Sequence, residues 1–177
     1  ERGHGTAAHQ MARAALASGR SDNPPMDPRT ASLLALFTEG RTRFINLLDK
    51  LTGADLPKKL APSPNSIGFL VRHIGDVELL FAKNVFGLEG VHVRASTVAT
   101  GHDTGEWTDL AGLKAYVLES SDTLRRAIEA TPDAGWDKVI ETKEFGRKTK
   151  AEALGRIVTH TAYHAGQIGI VVKYGTG

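Results

Sequence analysis

The sequence predicts an all-α fold: an up-down four-helix bundle with a long crossover between helices 2 and 3 and a short β-prone segment before helix 4. Two observations carry that expectation. After residue 29, apolar residues recur every three or four positions in four separate stretches, the period of a helix that buries one face. Between the stretches stand the proline, glycine and capping residues that end and start helices. Four helices with one apolar face each satisfy those faces most simply by packing against one another.

Residues 1–28 read differently from the rest: Ala, Gly, Arg and Ser dominate, and Asn23-Pro24-Pro25-Met26-Asp27-Pro28 interrupts any helix. This stretch is expected to be a flexible appendage, natural or added, with Met26 a candidate start and 29–177 forming the domain. The Met11–Ala17 stretch has the composition of a short helix. The first bundle helix carries Leu33, Phe37, Phe44, Leu47, Leu48 and Leu51 and stops near Gly53. The second is expected to follow Ser63-Pro64, an N-cap with proline at the first helical position. Its stripe is Ile67, Leu70, Val71, Ile74, Val77, Phe81 and Val85, with Gly87 as the stop. The third follows Thr108, uses Leu110, Leu113, Val117, Leu124 and Ile128, and ends at Thr131-Pro132. The fourth opens on Thr149-Lys150-Ala151-Glu152, a capping box, and runs through Leu154, Ile157, Val158, Thr161, Ala165, Ile168 and Val172. Residues 90–107 form the crossover, and 136–148 read as two β-prone pieces, 138–142 and a remainder centred on Gly146.

A chain of 177 residues suits one domain with a proper core. With 22 basic and 20 acidic residues the formal charge is +2, and no dense Lys/Arg run offers a phosphate-binding surface, so nucleic acid is not an expected partner. The absence of cysteine excludes disulfides, thiolate metal ligands and a protein-borne thiol nucleophile. No apolar run approaches the roughly 18 residues that cross a bilayer, and the N-terminus lacks the apolar core of a secretory signal. The expected compartment is the cytoplasm, without membrane attachment.

Among seven histidines, His160 and His164 stand four residues apart in the fourth helix, and His73 lies in the second. Positions i and i+4 project from one helix face, so two imidazoles there reach a single ion, and a histidine from a facing helix supplies a third nitrogen. At about 100° per residue, His160, His164 and Gln167 share a flank beside Ile157 and Val171, while His73 sits at the margin of the second stripe beside Leu70 and Val77. A metal site and a set of hydrogen-bonded core histidines both fit this pattern. Position 161 is Thr where the zinc-protease motif H-E-x-x-H places its general base, which removes that family of hydrolases. His92 and His102 in the crossover read as surface residues, and His4 and His9 as incidental.

Glu78 falls inside the apolar stripe of the second helix, so its carboxylate needs a partner. An arginine of a neighbouring helix is the favoured one; a role beside the metal, as base or supporting carboxylate, is the alternative. By the same angular count Tyr163 projects away from the histidine flank, and Trp107 and Trp136 pack over the bundle ends.

Arg72-His73-Ile74-Gly75-Asp76, followed by Thr159-His160-Thr161-Ala162-Tyr163-His164-Ala165-Gly166-Gln167-Ile168, resembles the DinB-like family of metal-binding four-helix bundles over roughly residues 30 to 174. That family is named for DNA-damage-inducible proteins and includes thiol-dependent transferases and isomerases. The resemblance implies that His73, His160 and His164 ligate a metal, with Gln167 beside the site, and that the protein forms a homodimer. Three neutral imidazoles leave an ion its full charge and an open position, the layout of a reactive site. Zinc and nickel are the first expectations, with iron, manganese and cobalt admitted by the same ligands. A low-molecular-weight thiol such as mycothiol, bacillithiol or glutathione would supply the nucleophile that the chain lacks. The leading expectation is therefore thiol transfer to, or isomerisation of, a small-molecule substrate. The alternatives are a metal-dependent hydrolase and a non-catalytic, stress-related metal- or ligand-binding bundle.

Overall fold

A computed structural model describes residues 26–177, and it is mostly helical, in keeping with the all-α class. Most of the expected appendage, with His4, His9 and the 11–17 stretch, lies outside the described residues. In chain order the elements are α1 (Pro28–Lys50), α2 (Ile67–Asn84), a short α3 (Ser96–Thr100) inside the crossover, α4 (Leu110–Glu129), β1 (Val139–Thr142), β2 (Gly146–Thr149) and α5 (Lys150–Tyr174). The expected third and fourth helices are thus α4 and α5. Helix α2 packs most extensively on α4 and α1 on α5, and contacts of α2 with α5 and of α1 with α4 close the ring.

The helix ends are set by caps, and one of them corrects an expectation. Helix α1 starts at Pro28, a first-turn residue whose missing N–H removes a donor that has no intrahelical acceptor. The neighbouring free donors are capped from a distant turn: Asp133 accepts from the backbone N–H of Thr30 at 3.0 Å and of Arg29 at 3.3 Å. Helix α2 begins after Ser66 rather than Ser63, because the Ser66 hydroxyl accepts from the Phe69 N–H at 3.2 Å and performs the N-cap. It ends at Asn84, and Gly87 lies just beyond, in a turn with φ of 75°. The start of α5 has both halves of the expected capping box: Thr149 accepts from the Glu152 N–H, and Glu152 accepts from the Thr149 N–H at 2.7 Å. The β-prone segment forms an antiparallel hairpin in the register Val139↔Thr149 to Thr142↔Gly146, with Gly146 at φ 69° opening β2 directly after the turn.

The core has two apolar clusters, one around Phe44, Leu56, Ile74 and Val117, the other around Phe37, Phe81, Leu124 and Trp136. Trp136 is fully buried at the end of the bundle where α1 and α5 begin and α2 and α4 finish: its ring meets Phe86 edge-on, its carbonyl accepts from the Ala151 N–H, and its indole N–H donates to Thr30 Oγ1 at 2.8 Å. Arg41 and Glu78 lie, in sequence, between residues of these two clusters and form an ion pair, at 5 % and 0 % exposure. Ser120 Oγ of α4 donates to the other Glu78 oxygen at 3.0 Å, so α1, α2 and α4 meet at one carboxylate. The Arg41 guanidinium also lies 5.8 Å and 5.6 Å from the ring centroids of Phe37 and Phe44. Burial pushes its pKa down to about 10, still well above neutrality.

Removing one partner of such a pair leaves a buried charge uncompensated, whereas removing both leaves only a packing problem. Glu78→Leu should therefore lower unfolding free energy by about 3–5 kcal/mol in urea titration, and Arg41→Met with Glu78→Leu should lower it by clearly less than the single change. A double variant as unstable as the single one would show that the pair contributes no specific coupling.

Candidate metal centre

The segment Arg72-His73-Ile74-Gly75-Asp76 of α2 spends every residue on one local arrangement. Ile74 is fully buried in the core. Gly75 gives α4 room to approach: a Cβ there would stand 2.7 Å from the Tyr116 ring and 3.2 Å from Ser120 Oγ. Through that gap the Tyr116 hydroxyl donates to Asp76 Oδ1 at 2.6 Å, and Arg72 Nε, one helical turn earlier, donates to the same oxygen at 2.9 Å. The Arg72 guanidinium stacks 3.5 Å above the Tyr116 ring centroid and 5.0 Å from that of Trp107. Burial, and then the Asp76 carboxylate, raise the Tyr116 pKa, so the phenol remains a donor.

The second Asp76 oxygen faces the crossover, where α3 presents Thr97. Its backbone N–H donates to Asp76 Oδ2 at 3.1 Å, and its hydroxyl donates to the same atom at 2.8 Å. An ionised carboxylate only accepts, so the Thr97 proton points to Asp76 and the lone pairs of Oγ1 remain for His73. His73 Nδ1 stands 3.1 Å away and must be the donor. That fixes the proton on Nδ1 and leaves the lone pair of Nε2 free, the tautomer that a metal ligand needs.

His164 is held the same way from its own helix. Gln167 Oε1 accepts from His164 Nδ1 at 2.6 Å, so the His164 Nε2 lone pair is also free. The Gln167 amide donates onward to the Tyr163 hydroxyl at 3.2 Å, and the Tyr163 ring meets the His164 ring edge-on at 5.1 Å. Tyr163 therefore does not project away as the angular count suggested; its long side chain lies back over the His164 side.

The three Nε2 atoms converge. His160 Nε2 lies 3.3 Å from that of His73 and 3.2 Å from that of His164. Two of these atoms carry lone pairs, and His160 has one proton to offer, so no arrangement of neutral rings satisfies all three. Among the described residues His160 Nδ1 is buried with no hydrogen-bond partner, which adds a second unmet group. A divalent cation between the rings would remove the first conflict, and metal–nitrogen bonds of about 2.0–2.1 Å in tetrahedral geometry space their nitrogens about 3.3 Å apart. The residues thus fit a metal in chemistry and in spacing, and they are the one such group among the described residues.

All three rings are neutral near pH 7. Burial, then the charge of His164, lowers the His73 pKa to about 4. Burial, then His164, His73 and Arg156, lowers that of His160 to about 3. Burial also lowers that of His164, against the opposing hydrogen bond to Gln167. Neutral imidazole is the ligating form.

Glu78 is not part of this group, being taken up by Arg41 and Ser120. His92 and His102 are exposed, and His102 Nδ1 contacts the Thr100 carbonyl of its own loop at 2.8 Å. Sequence reasoning missed Thr97, which sits in a crossover without periodicity. Asp76 could have been found from the i, i+4 pair Arg72–Asp76 inside a buried helix.

Fold and site together define a mostly helical protein with an open cluster of three histidines on two facing helices. The DinB superfamily model matches residues 36–168, and the chain belongs to that superfamily. No curated protein matches it.

The Thr97 bridge gives a clean comparison. Thr97→Val keeps the shape but removes the hydroxyl, and it should weaken zinc affinity about 10–100-fold in competition titration against a chromogenic chelator; Thr97→Ser should hold near wild type. Equal affinities for the two variants would show that the hydroxyl has no part in preparing His73.

Proposed function

We propose that the protein is a metal-dependent protein of small-molecule chemistry, in which His73, His160 and His164 hold one divalent ion through Nε2 on an up-down four-helix scaffold. The observation that supports this reading is the convergence of three neutral imidazole nitrogens, with His160 Nε2 at 3.3 Å from that of His73 and 3.2 Å from that of His164, an arrangement that one cation between them satisfies. Zinc and nickel are the favoured ions, since an all-nitrogen set of three suits both and leaves coordination positions open. When bound, the ion supplies Lewis acidity and lowers the pKa of a thiol or water brought to it.

The chain's own residues do the rest. Asp76 and Thr97 orient His73, Gln167 orients His164, and burial keeps the rings unprotonated. The chain has no cysteine, so a thiol nucleophile would come from a small cofactor and attack a small electrophile. Among the described residues no carboxylate joins the three rings, and Glu144, which lines the adjoining cavity, is paired with Arg156, so a hydrolytic reading would have to free its proton acceptor from that pair. That favours thiol transfer or a related isomerisation over hydrolysis.

His160→Ala should reduce bound zinc from about one ion per chain to near zero by elemental analysis after dialysis, because two ligands hold the ion far less tightly than three. Unchanged stoichiometry would overturn the triad. Zinc- and nickel-loaded protein should consume a model electrophile only when a small thiol is present. Turnover of esters without thiol would favour hydrolysis, and no turnover of either would favour a binding protein.

A further inference from the structure

Beside the triad opens a cavity of about 250 Å³ whose walls come from three elements. Val77 and Phe81 of α2 give it an apolar floor, and His160 and Tyr163 of α5 form the side shared with the metal centre. At its rim stand Arg156 of α5 and Glu144 of the hairpin turn. Among the described residues Arg156 is the one Lys or Arg lining this cavity, and it lies one helical turn before His160, on the same face. Its charge reaches the imidazole, where it is among the groups that hold the ring neutral.

The guanidinium is already prepared to receive an anion. It lies 5.4 Å from the Phe145 ring centroid, which limits its swing. It holds Glu144 through a contact of 3.2 Å, at 44 % and 57 % side-chain exposure. An exposed ion pair of this kind adds little to stability and exchanges readily for another carboxylate. The cavity therefore has an apolar middle, a nitrogen-rich end at His160, and a cationic end whose resident carboxylate is replaceable.

We propose that the cavity binds a small carboxylate-bearing ligand: Arg156 takes the carboxylate in place of Glu144, Val77 and Phe81 hold the apolar body, and the reactive end lies at His160. This rests on the metal reading above for the chemistry at the far end, and on the cavity alone for the carboxylate end. It names the class of substrate or thiol that the centre would accept, an anionic one in preference to a neutral one of equal length.

The full chain loaded with cobalt(II) tests it with two thiols of similar size, 3-mercaptopropionate and 2-mercaptoethanol, followed by the thiolate-to-cobalt absorption. Wild type should bind the carboxylate thiol about tenfold more tightly, the margin of one charge-assisted hydrogen bond. Arg156→Gln should abolish that preference, and Glu144→Gln should widen it by freeing the guanidinium. A preference absent from wild type, or surviving in Arg156→Gln, would overturn the proposal. If the ion pair only tethers the hairpin, both variants should shift the melting temperature and leave the ratio of affinities untouched, which also overturns it. Protein that takes up no cobalt would contradict the metal reading instead, and a metal-free arm then decides the cavity. Benzoate titrated into apo-protein should give saturable NMR shifts at the amides of residues 144 and 156, lost in Arg156→Gln; no saturable shift in wild type would refute carboxylate binding.

Discussion

The Asp76 carboxylate is the constraint on which most of the site depends. Fully buried, it is acceptable in the core only because Arg72, Tyr116 and both donors of Thr97 surround it. Arg72 comes from α2 itself, Tyr116 from α4 and Thr97 from the crossover, so satisfying one charge ties α4 and the crossover to α2. The same geometry orders the Thr97 hydroxyl, and the hydroxyl in turn sets the tautomer of His73. A local electrostatic demand thus becomes a statement about metal chemistry two bonds away. Gly75 makes the arrangement sterically feasible by leaving the Tyr116 ring room beside the α2 backbone.

A second buried carboxylate does different work. Glu78 lies two residues further along the same helix, but its partners are Arg41 of α1 and Ser120 of α4, and no histidine is among them. Two acids on one helix therefore divide the labour, Asp76 supporting the imidazoles and Glu78 joining helices through the centre of the core. The division follows from helix geometry, since a separation of two residues turns the side chains about 200° apart.

Much of this architecture is legible in the sequence. The apolar period located all four long helices, and the Thr149–Glu152 capping box fixed the start of α5, because both signals are local in sequence. The histidine triad was legible for the same reason: His160 and His164 are bound by helical spacing, and the family pattern links them to His73. What depends on distant packing was not legible. The N-cap of α2 was placed three residues early, at Ser63, because two serines compete and only the fold selects Ser66. Thr97 lies in a stretch without periodicity, and its role arises from a contact with a residue 21 positions away. Tyr163 was misplaced because angular counting follows the Cα–Cβ direction and ignores the reach of a long side chain. Arg156 carried no signal beyond its charge until the hairpin brought Glu144 and Phe145 against it.

The central claim is that three imidazoles from two helices close on one ion. X-ray absorption at the metal edge of zinc-loaded protein measures this most directly. Three nitrogen scatterers at about 2.0–2.1 Å, with the outer-shell pattern of imidazole rings, is the expected result. A first shell of oxygen alone, without imidazole scattering, would contradict it.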